Sequence, residues 1–363
     1  MKKETISPLQ IAMILANLLL TASLITLPQI LTQIAGQNAW LTPLLVFPVI
    51  ILMILFGLGK GTLFLQTLDR KDDIWSKGFY SVLLIFLVLL YIRDLRAFVD
   101  FISSSLLPKT PIEVIAILLT LTCLYISIGG LEVIARITVI QFIVFIVIVI
   151  FAPLLLLNEI DLKNLTPIVR PGVLSDLGKS SVFMLPWMGE VVVLFLLLTS
   201  ISGKDKAKVK KAAMYGTGLG FFLITLLIAL DIAVLGSGIV SKATYPNFIM
   251  IQEINITDFL DRLDLVIVTV WMPCFISKIT LTLYCIFRIL VRLKVTKTNL
   301  LFAPVSLLLG ILSIILFESN AEHLKFSFYS FTIIGLVLEV LIVGLFFFMR
   351  TKKQKELKNQ HST

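Results

Sequence analysis

The sequence has little charge and almost no histidine. Charged residues make up 15% of the chain, hydrophobic residues make up 58%, and only two histidines are present. Because a soluble protein of this length needs more polar surface, we interpret the chain as an integral membrane protein. Its three cysteines, Cys123, Cys274 and Cys285, all lie in apolar stretches. That placement offers neither a disulfide framework nor a zinc-binding spacing.

Common catalytic motifs are also missing. The sequence has no HExxH motif, no glycine-rich phosphate loop and no Gly-x-Ser-x-Gly elbow, and these are frequent signatures of metalloproteases, nucleotide-binding proteins and serine hydrolases. The net charge of +9 comes from short basic clusters between apolar stretches. Such clusters are typical of cytoplasmic loops rather than of a nucleic-acid surface. We therefore predict no enzyme, no metal or cofactor, no nucleic acid, and a lipid bilayer around the chain.

About ten apolar windows are long enough to cross the hydrocarbon core of a bilayer. They lie near 9–33, 38–58, 77–105, 111–128, 130–157, 179–201, 210–236, 263–291, 299–317 and 325–349. We number them as spans one to ten. They predict an all-α polytopic transmembrane domain over residues 1–350, followed by a basic tail at 351–363. Basic residues concentrate in the loops on the side of the N-terminus, which predicts that both termini are cytoplasmic.

The sixth span contains Pro186, Gly189 and Glu190 within an apolar run. A helix breaker, a flexible joint and an ionisable group together indicate a discontinuous transmembrane helix. The alternative is a proline kink whose glutamate reaches the headgroups. The first span has Thr21-Ala22-Ser23 near its middle and Pro28 beyond, and its alternative is ordinary hydroxyls bonded to the backbone of an intact helix.

Interruptions in the first helix of each half predict a 5+5 inverted repeat, over about 9–157 and 179–349, with a ligand site at the breaks. Unwound backbone and half-helix ends suit a small zwitterion such as an amino acid. The candidate ligand-binding residues are Thr21, Ala22, Ser23, Trp187, Gly189 and Glu190. Gly216, Gly218 and Gly220 in the seventh span predict close helix packing.

Charges inside the spans are the other candidates. Lys278 lies deep in the eighth span, so it should pair with a carboxylate, bind carbonyls or be neutral. A site-organising role is favoured over a purely structural ion pair. The third-span charges Arg93, Asp94, Arg96 and Asp100 are interpreted as snorkelling to the outer interface, with Arg96 and Asp100 paired four residues apart. The residues predicted to couple ions or protons, or to organise the site, are Lys278, Glu190, Arg136 and Asp94.

Several blocks together resemble a known family, the spore germination receptor B subunits (GerAB-like membrane proteins of the amino acid–polyamine–organocation superfamily). In chain order the blocks are Ile6-Ser7-Pro8-Leu9-Gln10, Ala35-Gly36-Gln37-Asn38-Ala39-Trp40-Leu41, Leu107-Pro108-Lys109-Thr110-Pro111, Gly130-Leu131-Glu132-Val133-Ile134-Ala135-Arg136, Gly189-Glu190-Val191, Tyr245-Pro246 and Asp261-Arg262-Leu263-Asp264. The chain departs from the family at Thr21-Ala22-Ser23, where relatives commonly have a glycine.

The resemblance implies a LeuT-like fold with broken first and sixth helices in the inner membrane of a bacterial endospore. It implies a ligand-sensing subunit that binds an amino acid or similar germinant beside an A subunit and a lipoprotein C subunit. The alternative is a proton-coupled amino-acid transporter with the same fold. In this fold class the first and eighth helices often share a sodium site, and we predict that the ammonium of Lys278 replaces that ion.

Overall fold

The computed structural model describes residues 5–58, 73–169, 171–200, 208–254, 263–295 and 301–361. Within these ranges the chain is built from helices joined by turns and short loops. Six helical segments within the described ranges are long and apolar enough to cross a membrane. The prediction of an all-α, multi-pass membrane protein is therefore confirmed. Several basic residues of the loops on the side of the N-terminus, among them Lys60, Arg70 and Lys204, lie outside the described residues, as does the pair Asp261-Arg262.

Each of the ten predicted spans coincides with helical structure. The α-helices of the described residues are, in chain order, α1 (Pro8–Leu24), α2 (Leu27–Ala35), α3 (Thr42–Leu58), α4 (Ile74–Phe101), α5 (Ile112–Ile128), α6 (Leu131–Leu155), α7 (Val173–Met188), α8 (Leu194–Leu197), α9 (Val209–Val240), α10 (Pro246–Gln252), α11 (Leu263–Arg292), α12 (Phe302–Ile315), α13 (Asn320–Lys325) and α14 (Phe331–His361). The first span consists of α1 and α2, and the sixth consists of α7, α8 and the 3-10 turns beside α8. The predicted tail at 351–363 continues α14 as far as His361.

The first span is broken, but later than predicted. α1 begins with a capping box between Ser7 and Gln10 and ends at Leu24, and α2 starts at Leu27 with a proline in its first turn. A proline is well tolerated there because the first amide groups of a helix have no partner within it. Thr21-Ala22-Ser23 is part of α1, so the predicted position of this break was wrong.

The sixth span changes its winding at Gly189. α7 continues through Pro186 to Met188, and residues Gly189–Val193 then form a 3-10 helix. The Glu190 side chain directly after the change has no exposed surface. A proline kink with a glutamate reaching the headgroups is therefore the wrong interpretation, and the discontinuous helix is confirmed.

The packing of the spans repeats with a shift of five. The first span packs on the seventh, and the equivalent contact in the other half joins the sixth to the second. The first span also packs on the fifth, and the sixth packs on the tenth in the same way. The contact of the fourth span with the eighth is matched by that of the ninth with the third. The contact of the eighth span with the fifth is matched by that of the third with the tenth. Because each half has an odd number of spans, equivalent helices run in opposite directions. This is the 5+5 inverted repeat of LeuT-like folds that the paired interruptions predicted.

The fourth and fifth spans meet at a tight turn. Gly129 and Gly130 separate α5 from α6, and Gly130 has φ +84°. Side chains with a Cβ rarely adopt that backbone region, so glycine suits the reversal. The chain therefore reverses direction within these two glycines.

Candidate ligand site at the broken sixth span

Four charged side chains meet at the break of the sixth span. Arg93 Nη2 lies 2.6 Å from Asp94 Oδ1 and 2.6 Å from Glu190 Oε1. Lys278 Nζ lies 3.0 Å from Asp94 Oδ2 and 2.8 Å from Glu190 Oε2. Each carboxylate therefore contacts both cations, and two positive charges balance two negative ones. We call Arg93, Asp94, Glu190 and Lys278 the central charge network.

The central charge network is buried. At most 7% of any of its side chains is exposed, although the third-span charges were expected to snorkel to the outer interface. That interpretation was wrong, because opposite charges from the sixth and eighth spans lie within ion-pair distance and remove the need to reach water. Of the three alternatives for Lys278, the structure shows pairing with carboxylates, and its ammonium group contacts two of them.

Aromatic rings enclose the guanidinium of the network. The Cζ atom of Arg93 lies 4.5 Å from the ring centroid of Trp187 and 4.0 Å from that of Phe331. Cations are attracted to the faces of aromatic rings, and more strongly away from water. Trp187, a predicted ligand-binding residue, is therefore placed beside Glu190 and holds its arginine partner in position.

A third carboxyl group reaches the same break from the tenth span. A Cβ atom at Gly189 would overlap the carboxyl group of Glu339, so the glycine makes room for that side chain. Glu339 is 6% exposed, and its Oε1 has no hydrogen-bond partner among the described residues. Gly189 is thus needed for the close approach of Glu339, a role that its sequence position did not reveal.

The predicted first-span residues are arranged differently. The Thr21 hydroxyl donates to the carbonyl of Asn17 at 2.7 Å, and the Ser23 hydroxyl donates to that of Leu20 at 2.7 Å. These bonds stay within α1, as in the backbone-satisfied alternative. Ala22 is buried in the same turn. Ligand binding by Thr21, Ala22 and Ser23 remains a prediction, although α1 does pack against the 3-10 turn at Gly189–Val193.

An asparagine from the outer helix α10 caps the first break. Asn247 Nδ2 donates to the carbonyl oxygens of Ser23, at 3.3 Å, and Leu24, at 3.2 Å. The last carbonyls of a helix have no partner within it, so the amide satisfies two of them. Asn247 and Leu24 also line a cavity of about 30 Å³, together with Trp271 of the eighth span.

The interface between the first and eighth spans is closed by amides and a hydroxyl. Asn17 Nδ2 donates to the carbonyl of Cys274 at 3.2 Å and to the Ser277 hydroxyl at 3.1 Å, and Gln141 also bonds to Ser277. The ion pairs of the adjacent Lys278 instead reach the third and sixth spans. The position of the Lys278 ammonium group differs from the predicted one, in which it replaces a sodium ion between the first and eighth spans. Lys278 lies on the helix face turned toward the two carboxylates.

A second cluster lies further out along the third span. Arg96 Nε lies 2.8 Å from Asp100 Oδ1, which is the predicted pairing four residues apart, and His323 Nδ1 lies 3.2 Å from Asp100 Oδ2. Arg96 also donates to the carbonyls of Ile314 and Phe317. The cluster fastens the third span to the loop before the tenth. It is buried, so snorkelling is wrong here as well.

Arg136 is not brought to the central charge network. It pairs with Glu132 at 2.5 Å, and 69% of its side chain is exposed. Both residues line a surface cavity together with Ser7 and Gln10 at the start of α1. The predicted role of Arg136 in organising the ligand site therefore has no contact with Glu190, Lys278 or Asp94 to support it.

Sequence reasoning missed several polar residues that the structure brings to the breaks. Asn17 and Gln141 lie inside apolar windows, and Asn247 follows Tyr245-Pro246 in an outer loop. An amide within an apolar span usually hydrogen-bonds to a neighbouring helix, so the amides of the first and fifth spans were detectable. Asn247 carried no such signal.

The family model described as "Spore germination protein" matches residues 5–322. The chain is 29% identical to YfkT of Bacillus subtilis (strain 168) over 264 residues, covering 71% of this chain and 72% of that protein. It is 27% identical to Spore germination protein KB of the same strain over 338 residues, covering 90% of this chain and 88% of that protein.

Among solved structures, the chain is similar to a manganese transporter from Eremococcus coleocola in complex with an aromatic bis-isothiourea substituted compound. The likeness covers 92% of this chain and 76% of the transporter, at 14% identity and a TM-score of 0.49. The family match, by contrast, extends from the capping box of α1 to the loop before the tenth span, and the chain belongs to the spore germination protein family.

Proposed function

We propose that the chain is the ligand-sensing membrane subunit of a spore nutrient germinant receptor. It binds an amino acid or a similar small nutrient in a mid-membrane pocket beside the broken spans, and binding triggers germination. The observation that carries this proposal is the central charge network at the break of the sixth span. Membership of the spore germination family supports the biological setting.

A balanced charge network suits a zwitterionic ligand. The carboxylate of an amino acid is complementary to Arg93 and Lys278, and its ammonium group is complementary to Asp94 and Glu190. Such a ligand exchanges partners within the network without adding net charge to an apolar interior, where an unbalanced charge is expensive. The pairs of Glu190 with Arg93 and Lys278 are those that a bound ligand would rearrange.

Access from outside involves Asn247. The cavity at the first break has room for about two water molecules, so a larger ligand requires the outer helix α10 to move. Asn247 would then release the carbonyls of Ser23 and Leu24, which become available to an ammonium group. Ligand entry is thereby coupled to the release of these two carbonyl groups from Asn247.

A receptor function implies partner subunits and a defined orientation of the chain in the membrane. We propose that the chain lies in the inner membrane of the endospore, with both termini cytoplasmic, and assembles with an A subunit and a lipoprotein C subunit. Spore germination protein KB and Spore germination protein A2 of Bacillus subtilis are relatives. Co-purification of the chain with both other subunits from spore inner membranes tests the assembly.

A proton-coupled amino-acid transporter is the second candidate, since the same fold can serve either function. The observation that favours it is Glu339, a buried carboxyl group without an ion-pair partner among the described residues. Uptake of labelled amino acids into proteoliposomes that contain only this chain, driven by a proton gradient, would support the transporter.

A deletion strain tests the receptor directly. Spores that lack the gene are germinated on single nutrients, and the receptor account predicts that the response to one nutrient or a defined set is lost. Complementation with the wild type should restore it, and complementation with Glu190→Gln should not. Glu113→Gln, at an exposed position near the start of α5, is the matched control and should restore it fully.

A further inference from the structure

The ionisable groups around Glu339 are already paired with one another. The tenth span packs against the second, third and sixth spans. The third brings Arg93 and Asp94, the sixth brings Glu190, and residues 42–58 of the second carry no ionisable side chain. Arg93 and Glu190 lie 2.6 Å apart, and Lys278 lies between Glu190 and Asp94. The two cations are therefore matched by two carboxylates before Glu339 is counted.

An ionised Glu339 would upset this balance. Among the described residues its carboxyl group has no ion pair within 4 Å and no hydrogen bond to Oε1, and it lies in contact with Gly189. It would add an uncompensated negative charge next to Glu190 in a buried, apolar setting, where an unpaired carboxylate takes up a proton instead. Glu190, by contrast, is paired with both an arginine and a lysine.

We propose that Glu339 is a proton-binding site of this protein and that its proton keeps Arg93 paired with Glu190 at the break of the sixth span. Arg93 directs Nη2 and Nε to carboxylates, whereas its Nη1 has no partner among the described residues. When Glu339 loses its proton, it becomes a second anion that competes for the same guanidinium. Arg93 then turns from Glu190 toward the tenth span, and the contact across Gly189 changes with it.

Proton binding by Glu339 does not depend on the identity of a nutrient ligand. Receptor and transporter alike would gain a site at which pH or a neighbouring cation alters the break. The proposed function can fail, through an unaltered germination response, while the proton site stands.

Infrared spectroscopy of the full-length protein in lipid nanodiscs tests the proposal, because a protonated carboxyl group has a carbonyl stretch that a carboxylate lacks. Asp231 is fully buried and both of its carboxyl oxygens lack partners in the described part of the chain, so it would contribute a band of its own. The experiment therefore uses the Asp231→Asn background. At neutral pH this variant should keep one protonated-carboxyl band, and Asp231→Asn/Glu339→Gln should lose it.

Two further variants make the result decisive. Asp231→Asn/Glu339→Asp should keep a shifted band, and Asp231→Asn/Glu132→Gln, altered at a half-exposed carboxylate paired with Arg136, should keep the original one. Absence of the band in Asp231→Asn, or its persistence after Glu339→Gln, would overturn the proposal.

The pH dependence of unfolding gives a second readout. Since folding requires Glu339 to hold a proton that a solvated carboxylate releases at neutral pH, stability should fall as the pH rises. In the Asp231→Asn background, Glu339→Gln should flatten the slope of the melting temperature against pH between mildly acidic and alkaline conditions. An unchanged slope would contradict a proton on Glu339.

Discussion

Lys278 Nζ lies 2.8 Å from Glu190 Oε2 and 3.0 Å from Asp94 Oδ2, so one ammonium group joins the eighth, sixth and third spans. The sixth span packs with the first and second, whereas the third and eighth pack with each other and with the fourth. The central charge network thus bridges two groups of helices. A ligand that rearranges it changes the connection between them, which is a physical basis for transmitting a signal.

The charge balance of the network can be tested by removing one cation. Lys278→Met leaves Asp94 and Glu190 to share Arg93, and breaking a buried ion pair in this way typically costs about 3–5 kcal/mol. We expect a markedly lower melting temperature for the variant in lipid nanodiscs, measured by thermal unfolding.

Restoring the balance should recover part of that loss. In Lys278→Met/Asp94→Asn one cation again faces one carboxylate, so the double variant should be more stable than the sum of the two single losses indicates. Strictly additive losses would mean that the two side chains do not interact.

Gly189 provides a test of the close approach of the tenth span. A methyl group at this position would overlap the Glu339 carboxyl group, and overpacking of this kind typically costs about 1–3 kcal/mol. Gly189→Ala should therefore lower the melting temperature, and Gly189→Ala/Glu339→Ala should recover most of it. Gly344→Ala is the matched control, since a Cβ there meets nothing within 4 Å. A loss as large in the control would refute the explanation.

Gly216 and Gly218 of the seventh span make a matched pair of test positions. A Cβ at Gly216 would overlap the backbone of Ala12 in α1, whereas a Cβ at Gly218 would only touch the Phe47 ring at 4.0 Å. Close packing was predicted for all three glycines and holds for Gly216 and Gly220, but not for Gly218. Gly216→Ala should destabilise the protein in thermal unfolding, and Gly218→Ala should leave its stability unchanged or slightly raised. Equal effects would argue against close contact between the first and seventh spans.

Asn247 caps the carbonyl end of α1 at the first break. Asn247→Ala leaves the carbonyls of Ser23 and Leu24 without their amide donor, and unsatisfied buried groups typically cost about 1–3 kcal/mol. We expect lower thermal stability and faster hydrogen exchange at residues 24–28. Gln33→Ala removes an exposed side chain that donates to the Ser241 carbonyl, and its effect should be within about 0.5 kcal/mol. Comparable losses in both would remove the special role of Asn247.

The fold was largely predictable because its signals are local. Apolar windows, loop glycines and the paired interruptions of the first and sixth spans were enough to predict the helices and their repeat. The break at Ile25-Thr26 was misplaced by a few residues, since the Thr21 and Ser23 hydroxyls bond within α1, and bonds of this type leave no mark on the sequence.

The candidate site was predictable only in part. Lys278 was recognisable as a charge too deep to reach water, and Glu190 as an ionisable group at a helix interruption. The burial of Arg93 and Asp94 was not, because snorkelling and internal pairing require the same residue types at the end of a span. Which carboxylate lacks a cation is a matter of three-dimensional pairing, so the sequence could not single out Glu339. Asn247 reaches the first break through a tertiary contact more than two hundred residues away in the chain.

The most direct test of the account is ligand binding to the purified chain in nanodiscs, with the nutrient whose germination response the deletion strain loses. The wild type and Glu113→Gln should bind it with similar affinity. Glu190→Gln should fold but bind at least about tenfold more weakly, equivalent to about 1.4 kcal/mol. Undiminished binding by a folded Glu190→Gln would contradict a ligand site at the central charge network.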